Sequence, residues 1–228
     1  MIRLFLGFDE REKIAYHVLS HSILRRASVP VSITPLFRPL LQPVFRRQRG
    51  PFESTDFSIS RFMVPFLCGY QGWAIFMDCD MLCLGNVGEL ATKMSEFARH
   101  HRALQVVKHD YDPKEETKFL GQKQTKYNMK NWSSMMIFNN ELCGNLTPQY
   151  VNTAPGLSLH QFEWCDREKM IGTLPATWNV LVGEEHQPDV DAAQLLHFTN
   201  GGPWFPDYAN CPGADLWRAE LKDMYGNL

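Results

Sequence analysis

None of the six cysteines, Cys68, Cys79, Cys83, Cys143, Cys165 and Cys211, forms a Cys-x-x-Cys pair. That argues against a zinc knuckle, and at 228 residues no disulfide scaffold is needed to hold a core together. Reduced thiols packed in a cytoplasmic protein are the expected state. Charge of one sign is missing too. The 23 basic and 25 acidic side chains leave a net charge of −2, without the basic footprint of a general nucleic-acid binder. No secretory leader is expected, because the apolar residues 1–8 are too few and run into Asp9-Glu10-Arg11-Glu12. No run reaches bilayer length. The longest uncharged one, residues 62–77, contains Pro65, Gly69 and Gly72, so no transmembrane helix is expected, and peripheral membrane contact stays open. With 15 glycines and 14 prolines the chain is not collagenous or low-complexity, and no internal repeat is visible.

What is present is an ordinary globular composition. Hydrophobic residues make up 44% of the chain, enough for one domain over residues 1–228. Ile2, Leu4 and Leu6 alternate with Arg3 and Phe5, then Gly7 breaks the run, which predicts a strand and a turn. Asp9 suits a helix N-cap with Glu12 as its capping-box partner. Ile14, Ala15, Val18, Leu19 and Ile23 fall on one face of the helix that follows. Val31, Ile33 and Leu36 then read as a second strand. This βαβ opening favours a parallel sheet. Residues 38–57, with four arginines, read as a loop of about twenty residues, a length typical of lids and binding segments. The Lys-rich residues 108–130 read as a second such loop. A helix is expected over 59–66, buried strands over 73–77, 134–138 and 193–198, and a C-terminal helix from about Ala214.

The strongest chemical signal is Asp78-Cys79-Asp80, directly after the apolar run Trp73-Ala74-Ile75-Phe76-Met77. Ligands of open α/β sheets bind beyond the carboxyl ends of strands. Carboxylates at i and i+2 leave a strand on one side and repel each other unless a cation lies between them. Mg²⁺ or Mn²⁺ bridging a diphosphate suits such a pair, whereas a plain strand-end turn is the bland alternative. A second signal is the stretch from His197 to Trp204. An apolar strand feeds a histidine and then Asn200-Gly201-Gly202, a turn whose backbone N–H groups can hold phosphate oxygens. His197 is either a third metal ligand or a hydrogen-bonded core histidine.

Taken in order, LGFDERE (6–12), SRFMVP (60–65), FMDCDMLCLGNVGEL (76–90), WSSMMIFNN (132–140), LPATWN (174–179) and LLHFTNGGPW (195–204) resemble the family 8 glycosyltransferases and their bacterial relatives. The resemblance spans nearly the whole chain. It implies a GT-A-type, Rossmann-like α/β fold with a mixed, mostly parallel sheet flanked by helices. It further implies a metal-dependent enzyme moving a sugar from a nucleotide sugar, a UDP-sugar foremost, to a glycan, a lipid-linked acceptor or another hydroxyl, as in bacterial surface polysaccharide synthesis.

By the same resemblance, Asp78, Asp80 and His197 would hold Mn²⁺ or Mg²⁺, with Asp80 the more direct carboxylate ligand. Gly7, Phe8 and Asp9 would meet the base and ribose. Cys79 and the turn Asn200-Gly201-Gly202 would line the donor, and Arg61 would approach its sugar or phosphates, mattering more to turnover than to folding. His160 and Gln161 stand nearest the family's Asp-Gln pair. The family's diphosphate-contacting lysine after the His-x-x-Gly is absent here, so either an Arg or Lys of residues 38–57 or 108–130 replaces it or the metal carries more of the charge. Were the enzyme inverting, Glu163 and Asp166 would be the candidate bases. A haloacid-dehalogenase-type phosphatase, a nucleotidyltransferase and a non-catalytic nucleotide-sugar-binding module are the rival readings.

Overall fold

The computed structural model describes residues 1–50, 53–110, 117–123 and 128–226. Its elements, in chain order, are β1 (Ile2–Gly7), α1 (Lys13–Arg26), β2 (Val31–Leu36), α2 (Val64–Leu67), β3 (Trp73–Met77), β4 (Met81–Cys83), α3 (Gly88–Ala98) and β5 (Leu104–Val106). After these come β6 (Thr117–Lys118), β7 (Gln122–Lys123), β8 (Met135–Asn139), α4 (Pro148–Thr153), α5 (Gly156–His160) and α6 (Arg167–Met170). The chain closes with β9 (Ile171–Thr173), β10 (Val180–Leu181), β11 (Leu195–His197) and α7 (Ala214–Tyr225).

The main sheet has six strands in the order β2-β1-β3-β8-β5-β9. β8 runs antiparallel to both its neighbours, and every other pair is parallel, so the sheet is mixed and mostly parallel. A second sheet of three strands, β10-β11-β4, lies apart from it. Strand alternation divides the core. Phe5, Phe76, Phe138 and Val106 face a cluster with Phe57, Phe62 and Phe162. Leu4, Leu6, Ile75, Met77 and Ile137 face the other way, against Leu19 and Ile23 of α1 and Leu90 and Met94 of α3. Trp217 of α7 packs with Leu82, Leu196 and Phe198 in a third cluster under the small sheet. β2 is one edge strand of this sheet, with β9 at the other edge. Thr34 and Pro35 are exposed, and Pro35 stands in register with Leu6.

Two local expectations need correcting. Asp9 does cap the turn Glu10–Glu12, but its carboxylate accepts from Arg11 N–H, and Glu12 makes no capping bond in return. The chain enters α1 through a 3-10 turn, which carries Glu12 inward instead of back toward Asp9. Residues 60–63 likewise form a 3-10 turn, with Pro65 in the first turn of the short helix that follows. A missing N–H is tolerated there but not in the longer helix expected.

Candidate active site

The segment Asp78-Cys79-Asp80 is the joint between the two sheets. β3 ends at Met77 in the main sheet and β4 starts at Met81 in the small one. Asp78 stays with the main sheet, donating its N–H to Ser134 O at 2.9 Å. Asp80 belongs to the small sheet, its carbonyl accepting from Phe198 N–H at 2.9 Å. The carboxylates therefore hang from two sheets that meet at one point. The antiparallel register sets His197, at the end of β11, opposite Met81, the residue after Asp80. Ligand atoms of Asp78, Asp80 and His197 lie within 4.8 Å of one another, and His197 Nε2 is 3.4 Å from Asp80 Oδ1.

The histidine's tautomer is set by its neighbours. Asn179 donates its side-chain N–H groups to Ser134 Oγ at 2.8 Å and to Asn131 O at 3.3 Å. Its Oδ1 must then face His197, which donates from Nδ1 at 3.0 Å. That leaves the Nε2 lone pair directed toward Asp80. A half-buried and a buried carboxylate with a fixed imidazole lone pair fit a hard divalent cation of the Mg²⁺ or Mn²⁺ type.

Arg61 lies on the other flank. It is 5% exposed, donates to Ser58 O and Ser133 O, and pairs with Asp78 Oδ1 at 2.8 Å. Its guanidinium stacks over Phe76 and Phe57 at 4.9 and 5.4 Å. The expectation that Arg61 matters little to folding is corrected by this burial, because removing it strands the Asp78 charge. His160 is next to this group: Nδ1 is 2.7 Å from Ser133 Oγ and its ring meets Phe62 edge-on. Burial, then Arg61 and Arg47, push its pKa down to about 3, so it stays neutral near pH 7. Gln161 follows as the half-buried C-cap of α5.

At the end of β1, Gly7 makes room for Phe57, whose ring a Cβ there would strike. Phe8 meets Tyr16 and Phe37 edge-on at 5.2 and 5.0 Å. Asp9 is 1% exposed and its two oxygens accept from Arg11 N–H, Arg11 Nε, Arg11 Nη2 and Asp56 N–H. Burial would raise its pKa, yet these bonds hold it below the usual carboxylate range. A carboxylate so engaged shapes the turn and does not offer itself to a ribose, which corrects the direct contact expected of it. The Asn200-Gly201-Gly202 turn follows Thr199, just beyond β11. Gly201 donates its N–H to Phe198 O, and at φ 142° against the Tyr208 ring it admits no side chain. Asn200 donates to Glu184 Oε1 at 2.8 Å.

The basic loop is tied down. Arg38 donates to Arg47 O, Arg47 to Ala154 O, and Arg49 to Ser54 O and Asp56 Oδ1, while Phe45 is buried beneath. Arg38 and Arg49 thus serve the loop itself and Arg47 ties it to the end of α4, while Arg46 is exposed. Residues 108–130 lie partly outside the described residues. Of those described, Lys130 is 6% exposed and precedes Asn131, whose amide donates to Thr199 Oγ1. Asp166 caps α6 through Lys169 N–H, and both it and Glu163 are exposed. Cys79 is fully buried, and burial drives its thiol pKa well up, so it is an inert packing group.

Sequence reasoning missed two groups. His109 is 8% exposed, and burial, then His197, push its pKa down to about 3. Glu12 is fully buried, and burial, then Asp80 and Asp9, raise its carboxyl well above the usual range. Glu12 stood in plain sight as the acid of a capping box. His109 had no signal beyond its place after an apolar strand.

No family model matches the chain. Among solved structures, the apo WbbM bifunctional glycosyltransferase superposes with a TM-score of 0.65 at 15% identity, over 98% of this chain and 51% of that one. This chain thus spans about half of WbbM's length. GlyE of Streptococcus pneumoniae TIGR4 gives 0.62 at 11%, over 98% and 61%. The galactosyltransferase LgtC, solved with donor and acceptor sugar analogs, gives 0.56 at 10%, over 96% and 95%. At such identities the likeness is one of fold, and it is the glycosyltransferase-type α/β fold with its mixed sheet. In sequence, Protein CDI of Arabidopsis thaliana is 44% identical over 231 residues, covering 97% of this chain and 86% of that protein. The chain belongs to the family of Protein CDI.

Proposed function

We propose that the protein is a metal-dependent glycosyltransferase that takes a sugar from a nucleotide sugar, with a UDP-sugar as the first candidate, and passes it to a hydroxyl acceptor. The observation that carries this reading is the gathering of Asp78, Asp80 and His197 where the two sheets meet, in a fold shared with glycosyltransferases. The residues divide the work. Asp80 and His197 would be the direct ligands of Mn²⁺ or Mg²⁺, and Asp78 would be shared between the ion and Arg61. When bound, such an ion stabilises the negative charge left on the nucleotide diphosphate as the sugar departs. Asn179 keeps the His197 Nε2 lone pair available. Arg61, Ser133 and His160 form the polar wall beside Asp78, where the donor sugar would lie. Phe8 would meet the base. Lys130 is the buried basic residue we assign to the diphosphate in place of the family's lysine. A relative in Arabidopsis thaliana extends the reading beyond bacterial surface glycans, so the acceptor is stated only as a glycan, lipid-linked or other hydroxyl.

The test is a panel of nucleotide sugars with Mn²⁺, scored for release of free nucleotide, in wild type and Asp80→Ala. Release from at least one donor that depends on Mn²⁺ and on Asp80 is expected. Metal-tight nucleotide binding without release of nucleotide in the presence of any hydroxyl acceptor would point to a binding module instead. Phosphate released from simple monoesters would point to a phosphatase.

A further inference from the structure

Glu12 ends the 3-10 turn before α1 with 0% of its surface exposed, and neither of its carboxylate oxygens has a hydrogen-bond partner. Carboxylates are almost never so placed without a reason, since a buried polar group left without hydrogen bonds costs about 1–3 kcal/mol, and a charged one more. Local structure gives no reason. Asp9, not Glu12, caps the turn, and α1 has no side-chain cap bond from Glu12. Nor does a neighbouring cation explain it. The guanidinium acting on Glu12 is that of Arg11, which already forms two side-chain hydrogen bonds to Asp9. The other charges acting on it are acidic: Asp80 first, then Asp9 and Asp78. Glu12 is thus a buried, unpartnered carboxyl group that follows β1, the strand lying beside β3, whose end carries the acids of the candidate metal site. Among the described residues it lies outside the set whose ligand atoms fall within 4.8 Å of one another.

We propose that Glu12 is part of the cation site as a carboxylate that acts on the bound ion from beyond its ligands, raising the site's affinity for a divalent cation. This rests on the metal-dependent reading of Asp78, Asp80 and His197. A divalent ion held by Asp80 is the positive charge whose presence makes a buried acid at this position favourable, since a low-dielectric surrounding strengthens the attraction. The same acid burdens the protein when no ion is bound, because it then faces three other carboxylates.

Two measurements together test this: Mn²⁺ titration followed by electron paramagnetic resonance of the free ion, and melting temperature in chelator. Wild type, Glu12→Gln, Glu12→Leu and Asp80→Ala are compared. The expected result is Mn²⁺ binding weakened about tenfold or more in both Glu12 variants, in the range usual for groups just outside a metal's ligands. Their melting temperature without metal should equal or exceed that of wild type. Mn²⁺ affinity unchanged in the Glu12 variants, while Asp80→Ala loses it, overturns the role of Glu12 and leaves the metal site standing. Absence of Mn²⁺ binding in wild type overturns both. A clear fall in metal-free stability, or failure of both Glu12 variants to fold, shows that the carboxylate is structural and also overturns the proposal.

Discussion

Among the described residues, two places gather a histidine and two acids at metal-binding distance, and they mean different things. One is Asp78, Asp80 and His197; the other is His21, Glu220 and Asp223, where α1 meets α7. At the second, guanidinium groups are already in place: Arg26 pairs with Glu220 at 2.7 Å and Arg25 with Asp223 at 2.9 Å. His21 adds a bond to Glu220 at 2.7 Å. Burial would raise the Glu220 pKa, but Arg26 and His21 hold it down. The first cluster is almost wholly buried and has further acids behind it, Glu12 among them. Residue type and spacing are alike in the two. What separates them is the balance of charge: two arginines answer the two acids between the helices, whereas at the sheet junction Arg61 answers Asp78 while Glu12 and Asp9 add further acids around Asp80.

Substitutions at both clusters sharpen that contrast. The largest effect is expected at Asp80. Asp80→Ala should weaken metal-dependent UDP binding by about two orders of magnitude, read by calorimetric titration with Mn²⁺ and with chelator. Equal affinity in all four conditions would remove the cation from the picture. Next comes Arg61→Met, which leaves Asp78 buried beside no guanidinium of its own. Urea denaturation should show a loss of about 3–5 kcal/mol, with turnover falling as well. Unchanged stability would mean that solvent already neutralises Asp78.

Glu220→Gln is expected to cost about 1–3 kcal/mol, since it removes a hydrogen-bonded buried charge. Mn²⁺ affinity and nucleotide release per folded molecule should stay at wild-type level. Altered Mn²⁺ binding there would erase the distinction between the clusters.

A smaller and graded effect is expected with pH. His109 and His160 have folded pKa values of about 3, well below the unfolded value of about 6.5. Between those limits the unfolded chain binds more protons, so stability is full above pH 6.5 and declines as the pH falls toward 3. Each histidine contributes a slope of at most about 1.4 kcal/mol per pH unit. Glu12, whose folded pKa is raised, works in the opposite sense above its unfolded value. Replacing it by Gln should therefore steepen the decline below neutrality, a comparison that thermal melts in a pH series would check. Least of all should follow from Lys93→Ala, since the exposed pair Lys93–Glu96 at 3.5 Å is worth about 0.5 kcal/mol or less.

The parts of this organisation that sequence reveals are those with a period or a dense local pattern. Trp73-Ala74-Ile75-Phe76-Met77 is apolar on both faces because β3 is buried on both, and the aspartates after it mark where burial ends. The βαβ opening and α7 show their faces in the same way. Partition into two sheets was not legible, since it depends on which strand β4 chooses, and three residues carry no such information. Asn179 stood inside a quoted motif, yet its function is to orient an imidazole eighteen positions away, a relation only the fold creates. Arg61 was assigned to the donor and Glu12 to a capping box, and only the tertiary surroundings reveal how deeply both are buried.

Strand β2, at the margin of the main sheet, has a bearing on how the molecule behaves in a crowd. Its outer side is a row of backbone groups that another chain's extended segment could extend. Pro35 can sit in such a strand only with its missing donor on the open side, so any incoming strand would lose a rung of its ladder at that place. The exposed Thr34 and Pro35 side chains leave little for a flat partner to grip. Pro35 thus acts as a guard against fibril-like growth, and a Val at this position would trade solubility for a smoother edge.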